Sequence, residues 1–164
     1  MLRSNYTISL VCEGYGECHF AYHIRDLYLP RNCGTALQVR NARGFGGQHA
    51  LSLAFALQAS GGHDAFGVMI DTDRHWGDAE RITATEAGIV AIENNPSLEA
   101  TLLKIDGYAV ARTTAENKRT FEHRFGGPAH REGVIRRHFD RPKIDSARLN
   151  VEPLDTLLRL LRCP

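Results

Sequence analysis

Short apolar runs alternate with amphipathic stretches along the first hundred residues, and this alternation predicts the architecture. Four runs rich in β-branched and apolar side chains predict strands, at residues 6–12, 36–40, 66–73 and 89–92. The stretches between them predict helices, at residues 17–29, 50–58 and 78–87. Strands that alternate with helices in units of this length indicate βαβ crossovers and a mostly parallel sheet.

Beyond Asn95-Pro96 the pattern becomes helical. Ser97 is positioned to cap a short helix, whose apolar side chains turned inward are Leu98, Leu102 and Leu103. A basic helical segment follows, and Glu152-Pro153 opens a closing helix. The apolar face of that closing helix consists of Leu154, Leu157, Leu158 and Leu161. The helical pattern therefore extends to the end of the chain.

We predict one α/β domain over residues 1–164, with three α/β/α layers around a mostly parallel sheet of about four strands. Its core covers about residues 6–104, and a helical carboxyl-terminal extension covers about residues 110–164. A chain of this length buries roughly 70% of its unfolded surface, which is enough for a hydrophobic core.

The third apolar run ends abruptly in two carboxylates, Asp71 and Asp73. Open α/β sheets bind their ligands at the carboxyl ends of the strands. In extended backbone the two side chains point to the same side, where they repel each other unless a cation lies between them. Mg²⁺, or Mn²⁺ in its place, binds one or two carboxylates and keeps several waters. The alternative is a strand that ends in a solvated Asp-x-Asp turn.

Composition narrows the function classes. Charged residues make up 24% of the chain and the net charge is +1. The overall charge therefore gives no reason to expect a nucleic-acid or membrane partner. The four cysteines have no CxxC spacing, which argues against a zinc knuckle or a redox motif. Residues 1–5 do not have the pattern of a signal peptide, and no apolar run approaches the ~18 residues of a membrane helix. We therefore expect a cytoplasmic protein without a membrane partner.

Glu13 ends the first predicted strand, at the sheet edge where Asp71 and Asp73 end the third. One apolar strand thus ends in Glu-Gly, and a later apolar strand ends in Asp-x-Asp. This arrangement resembles the Toprim domain shared by topoisomerases, bacterial primases and OLD-family nucleases. Glu13-Gly14-x-x-Glu17 looks like the opening of small Toprim-like proteins. The segment Asn94-Asn95-Pro96-Ser97-Leu98-Glu99 is similar to the Ser-Asn-Pro-x-Phe-Glu segment of RloB-like proteins, which are associated with anti-phage defence. The resemblance covers about residues 6 to 104.

This resemblance implies a role for each carboxylate at the strand ends. Asp71 and Asp73 would hold Mg²⁺ and leave positions open for phosphate oxygens. Glu13 would act as general base or acid, because neighbouring carboxylates raise its pKa, or it would be a metal ligand. The pattern of residues does not separate these two roles.

Four further residues have a functional and a plain interpretation. Glu17 would bind a second metal, or would only favour a helix N-terminus as an acidic side chain. Glu99 would close the same site, or would only be a carboxylate in the first turn of its helix. Lys118 and Lys143 are candidates for the cation that meets the leaving group, with ordinary surface lysines as the alternative.

Three other patterns are open to a functional interpretation. His19 and His23, spaced i, i+4, suit a metal on one helix face, although a surface or hydrogen-bonded pair is the favoured interpretation. The loop at residues 44–47 precedes a helix but lacks the Lys-Ser/Thr of a P-loop, which favours a loop that only borders the site. The basic segment of residues 110–164 would line a groove for a nucleic-acid backbone, or form a solvated charged face.

These observations support three hypotheses. The first is a Mg²⁺-dependent nuclease of the Toprim type, with DNA or RNA as its partner and phage defence as its setting. The second is a non-catalytic docking subunit that works with a protein partner such as a separate ATPase or sensor, since the chain has no P-loop of its own. The third is a small-molecule phosphotransferase or phosphatase that uses the same acidic site.

Overall fold

The computed structural model describes residues 6–163, so the prediction about residues 1–5 concerns a segment outside the described residues. Within this range the sheet has four parallel strands in the order β2-β1-β3-β4. They are β1 (Tyr6–Cys12), β2 (Thr35–Asn41), β3 (Ala65–Asp71) and β4 (Ile89–Asn94). Each predicted strand is present and each pairing is parallel, which confirms the predicted fold class.

Helices connect the strands and complete the chain. The first four are α1 (Tyr15–Tyr28), α2 (Gly47–Ser60), α3 (Asp78–Glu86) and α4 (Leu98–Ile105). The carboxyl-terminal part contains α5 (Thr114–Phe125), α6 (Val134–His138), α7 (Arg141–Ala147) and α8 (Glu152–Leu160), with a 3₁₀ turn at Arg148–Asn150. Within residues 6–163, no helix combines the length and the apolar composition needed to cross a membrane.

The two central strands, β1 and β3, are buried on both faces, as their apolar runs predict. Along β1, Leu10 points to the layer that contains α1 and α4–α8, and Val11 points to the layer that contains α2 and α3. Along β3, Met69 and Val68 divide between the same two layers. The three-layer α/β/α arrangement is confirmed, with the carboxyl-terminal helices forming part of one layer.

The closing helix buries the face that its sequence predicts. Leu154, Leu157, Leu158 and Leu161 are all buried. They belong to the same hydrophobic cluster as Phe121 of α5. The helical carboxyl-terminal segment is therefore packed onto the sheet through an apolar core and through contacts of α8 with β4.

One strand boundary was predicted wrongly. β3 ends at Asp71, so Asp73 does not lie in extended backbone and the two carboxylates are not paired on one side of a strand. The chain turns here because Trp76, five residues on, is buried in the α2–α3 layer and donates its indole N–H to Glu93 of β4 at 2.6 Å.

Candidate functional site

The two central strands, β1 and β3, bring Glu13 and Asp71 together. The ladder continues one residue beyond β1, where the Glu13 N–H donates to the Met69 carbonyl at 2.9 Å. The Glu13 side chain then crosses the end of β3, and its Oε2 accepts the Asp71 backbone N–H at 2.9 Å. This pair of hydrogen bonds fixes the Glu13 carboxyl group over the carboxyl end of β3, where the sequence predicted a site.

Asp71 connects the sheet to α4. Its Oδ1 accepts the backbone N–H of Leu98, the first residue of α4, at 2.9 Å. Ser97 occupies the N-cap position, but its buried hydroxyl has no hydrogen-bond partner among the described residues. The predicted N-cap position of Ser97 is confirmed, but its side chain makes no capping hydrogen bond, because the Asp71 carboxyl group from the neighbouring strand takes a free N–H of the first turn.

Glu17 and Glu99 enter the same space from two helices. Each lies in the first turn of its helix, α1 and α4 respectively, and each is buried. The Glu17 and Asp71 carboxyl groups are hydrogen-bonded to each other, which requires a proton between them. Glu99 Oε2 is buried without a hydrogen-bond partner among the described residues. A buried unpartnered carboxyl oxygen is costly and suits a site that binds a cation or a proton donor.

Burial is the main cause of the pKa shifts in this cluster. It raises the pKa of Asp71 to about 10, and the charges of Glu17, Glu13 and Glu99 reinforce the shift. Burial also raises the pKa of Glu17 to about 7. The pKa of Glu13 is raised by burial as well, although the Asp71 N–H and the charges of Arg74 and Lys118 oppose the shift. At neutral pH the cluster therefore retains a proton, held between Asp71 and Glu17.

The cluster opens into a cavity of about 240 Å³. Its lining includes Glu17, Asp71 and Glu99 together with three basic side chains, Arg43, Lys118 and His130. Lys118 is exposed, and its charge lowers the pKa of Glu13, so it lies at the rim of the acidic group. A cavity with an acidic floor and a basic rim is suited to a phosphate that is bridged to carboxylates by a cation.

Two of these basic residues were not predicted as part of the site. Arg43 directly precedes the glycine loop of residues 44–47, which was predicted to border the site, so a signal existed for its position. His130 lies between α5 and α6, and nothing in its local sequence indicates proximity to β3. Within the same loop, the Gly44 N–H donates to the Glu13 carbonyl at 2.7 Å. That N–H holds the loop on β1 and is not free to cradle a phosphate.

Two predicted site residues lie elsewhere. Asp73 is exposed, accepts a hydrogen bond from the Thr114 hydroxyl at 2.5 Å, and does not line the cavity, although its charge raises the pKa of Glu13. Lys143 donates to Asp106 at 2.6 Å and to the His138 carbonyl at 2.8 Å. Lys143 therefore joins α7 to the end of α4 and is not available to a leaving group.

The donor set matches Mg²⁺ in chemistry but is not arranged around a common point. In the described part of the chain, no group of three or more His, Cys, Asp or Glu side chains is positioned to hold a metal ion. Asp71 and Glu17 are instead bonded to each other. All four carboxyl groups supply the hard oxygen ligands that Mg²⁺ prefers, and Glu99 Oε2 is free. A bound cation would therefore replace the proton that Asp71 and Glu17 share, and the carboxyl side chains would rotate to face it.

Of the two histidines on α1, His23 is a buried residue whose ring nitrogen donates to the Phe139 carbonyl at 2.5 Å. This contact confirms the favoured interpretation for His23, a hydrogen-bonded histidine of the core.

Substitutions of Asp71 are expected to separate its charge from its capping role. Without metal, Asp71→Asn should raise the free energy of unfolding by about 1 kcal/mol at pH 8, because the raised pKa of Asp71 makes folding take up a proton at this pH, and the amide removes that cost while Oδ1 still accepts the Leu98 N–H. Asp71→Ala should be less stable than Asp71→Asn by about 1 kcal/mol, because the cap is lost. Urea unfolding in EDTA measures both differences.

The pH dependence of this effect follows from the sign of the shift. A raised carboxyl pKa costs stability above the unfolded pKa of about 4, and the cost grows as pH rises towards the folded value. The advantage of Asp71→Asn should therefore be small near pH 4 and increase towards pH 8. A difference that does not change with pH would show that the Asp71 carboxyl titrates normally.

Comparison of the chain with protein-family models, with curated proteins and with solved structures finds no match. The fold and the site define a class in structural terms: a small α/β domain with a four-stranded parallel sheet and alternating helices. Its acidic cavity lies at the carboxyl edge of the two central strands.

Proposed function

We propose that this chain is a Mg²⁺-dependent nuclease of the Toprim type that cleaves phosphodiester bonds of DNA or RNA, with a role in phage defence. The observation that carries the proposal is the meeting of Glu13, Glu17, Asp71 and Glu99 at one sheet edge, with a buried unpartnered oxygen on Glu99. Nuclease chemistry needs a hard cation and a phosphate in contact, and this cavity offers carboxylates for the first and Lys118 for the second.

Glu13 is the candidate for proton transfer. Its carboxyl group is buried, its pKa is raised, and one oxygen is fixed by the Asp71 N–H, which leaves the other oxygen for a water or a leaving group. Bound Mg²⁺ would lower the pKa of an attacking water and polarise the phosphate. Lys118 at the rim would neutralise charge on the phosphate as the bond breaks. Asp71 and Glu17 would hold the cation, with Glu99 closing the cavity.

A cleavage assay tests the proposal directly. Circular single-stranded DNA, supercoiled plasmid and structured RNA are incubated with the protein in Mg²⁺, in Mn²⁺ and in EDTA. Metal-dependent cleavage of any of these polymers supports a nuclease. Turnover of nucleotides without cleavage of polymers would indicate the small-molecule phosphatase. If neither polymers nor nucleotides are turned over, the hypothesis of a non-catalytic docking subunit is the one that remains.

Metal binding is expected to release protons. Since Asp71 and Glu17 share a proton at neutral pH, a cation that displaces it should bind about tenfold more weakly for each unit of pH that is lost. Below about pH 7, where the pKa of Glu17 adds a second proton, the dependence should become steeper. Isothermal titration calorimetry in buffers of different ionisation enthalpy counts the released protons.

The same titration on Asp71→Asn provides the control, because this variant cannot release the shared proton. Affinity that is equal at pH 6 and pH 8 in the wild-type protein, with no proton released, would show that the carboxyl groups do not form one cation site.

A further inference from the structure

Two exposed tyrosines and a half-buried histidine form a stripe along α1 that begins at the acidic cavity. Tyr15, His19 and Tyr22 are spaced at i, i+4 and i+7 and so lie on one face of the helix. Tyr15 is 65% exposed and Tyr22 is 37% exposed, although tyrosine on a helix normally packs much of its ring. The opposite face of the helix buries Phe20 and Ile24. The two tyrosines are therefore not needed by the core.

Three neighbouring cavities share lining residues along this stripe, and we call them together the α1 groove. The acidic cavity shares Tyr15 and Arg43 with a second cavity of about 440 Å³. The second cavity shares His19 and Tyr22 with a third of about 360 Å³. From Glu17 to Arg25 the groove covers about 12 Å of helix axis. It leads from the carboxylates of the site along the outer side of α1.

Arginines line each cavity of the α1 groove. Arg40 and Arg43 line the second cavity, and neither guanidinium has a hydrogen bond or ion pair within the described residues. Arg131 and Arg136 line the third cavity.

A fifth arginine, Arg25, stacks over the Tyr22 ring at 4.8 Å from its centroid. Outside the acidic cavity, two carboxylates oppose these five positive charges: Glu132 in the lining, and Asp26, which holds Arg25 at 2.8 Å and Arg136 at 2.7 Å. This part of the α1 groove is thus basic in a chain whose net charge is only +1.

We propose that the α1 groove binds single-stranded nucleic acid and leads it to the acidic cavity. The arginines contact backbone phosphates, and Tyr15 and the Tyr22–Arg25 pair provide platforms for unpaired bases. That the bound strand is a substrate for cleavage rests on the proposed function, but the binding of the strand does not depend on cleavage.

The aromatic stripe selects single strands over duplex. In a duplex the bases are stacked inside, so tyrosines on a helix face cannot reach them, whereas an unpaired strand exposes every base. A groove that joins basic side chains to exposed aromatic rings is the arrangement that binds single strands without sequence preference. A protein partner would also use Tyr and Arg, but the excess of arginine favours a polyanion.

Fluorescence anisotropy in EDTA tests the proposal without cleavage. The probes are labelled oligothymidylate and oligouridylate of about fifteen nucleotides, and a mixed-sequence duplex of the same length. We expect the wild-type protein to bind both single strands more tightly than the duplex. Tyr22→Ala should weaken single-strand binding about tenfold, and Tyr22→Phe should retain it, because a phenyl ring still stacks.

Salt dependence tests the arginines. Arg40→Gln and Arg43→Gln should each reduce the slope of log affinity against log salt by about 0.7, the value for one phosphate contact on a single strand. Tyr108→Ala and Arg119→Gln are the matched controls. Tyr108 is 45% exposed, stacks with Arg124 as Tyr22 stacks with Arg25, and lines a separate cavity together with Arg119. Neither control should change affinity or slope.

Three outcomes overturn the proposal. The first is that no single strand binds, which would indicate a protein partner for this surface. The others are that Tyr22→Ala and Tyr108→Ala weaken single-strand binding equally, or that the duplex binds as tightly as the single strands. The proposed function fails separately. Metal-dependent cleavage that Tyr22→Ala leaves unchanged would support the nuclease and overturn the α1 groove. Tyrosine-dependent binding without cleavage in any metal would support the groove and count against the nuclease.

Discussion

Asp71→Asn is expected to abolish metal-dependent cleavage, with a loss of at least about a hundredfold in rate. Asp71 lies at the centre of the site, since its carboxyl group contacts Glu17 and caps α4 at Leu98. A cation held by few carboxylates depends on each of them for affinity and position. Asparagine keeps Oδ1 for the Leu98 N–H and offers an amide N–H to Glu17, so the fold should persist. Steady-state cleavage rates and circular dichroism measure the two effects.

Asp73→Asn is the matched control, two residues along the chain. Asp73 is exposed, does not line the cavity and is bonded to Thr114, so its substitution should change the rate by no more than a few-fold. Equal rates for wild-type protein and Asp71→Asn would end the nuclease proposal. A loss in Asp73→Asn as large as in Asp71→Asn would show that the turn after β3 rearranges in the active protein.

Glu13→Gln is expected to lower turnover by about 10²- to 10⁴-fold, the contribution of one group that transfers a proton. Glutamine retains an oxygen for the Asp71 N–H but cannot accept a proton at neutral pH. If Glu13 carries the proton, metal affinity should stay within a few-fold of the wild-type value while the catalytic rate collapses. If Glu13 is a ligand, calorimetry should show weaker metal binding as well.

Glu86→Gln provides the comparison for Glu13→Gln. Glu86 is an exposed residue at the end of α3, remote from the carboxyl edge of β1 in the fold. Its substitution removes the same charge and should leave both rate and affinity unchanged. Wild-type turnover in Glu13→Gln would show that proton transfer does not pass through this residue.

The placement of Glu13 beside Asp71 was predictable because it follows from local patterns. Two apolar runs that each end in a carboxylate predict two buried strands, and parallel strands present their carboxyl ends at one edge. The order β2-β1-β3-β4 then makes β1 and β3 neighbours, which allows a hydrogen bond between the Glu13 side chain and the Asp71 backbone. For Glu17 and Glu99 the prediction left two roles open, a site ligand or a carboxylate that only stabilises the helix N-terminus, since a carboxylate in the first turn stabilises any helix.

The errors share a cause, which is that local rules do not include neighbours from distant parts of the chain. Ser97 satisfies the rule for an N-cap, yet Asp71 supplies the oxygen because β3 ends beside α4. Asp73 satisfies the alternation of a strand, yet burial of Trp76 turns the chain after Asp71. The role of Lys143 was left open between a site cation and a surface lysine, and only the packing of α7 brings it to Asp106.

The amino-acid sequence by itself determined the class of fold, because hydrophobic periodicity and strand–helix alternation depend on residues close in the chain. It also determined which carboxylates stand at strand and helix ends. The tertiary structure alone decided that four of them share one buried space, since burial and mutual repulsion arise only when β1, β3, α1 and α4 are packed. It likewise decided that Arg40 and Arg131 flank one tyrosine stripe, because the residues that line a groove come from segments far apart in sequence.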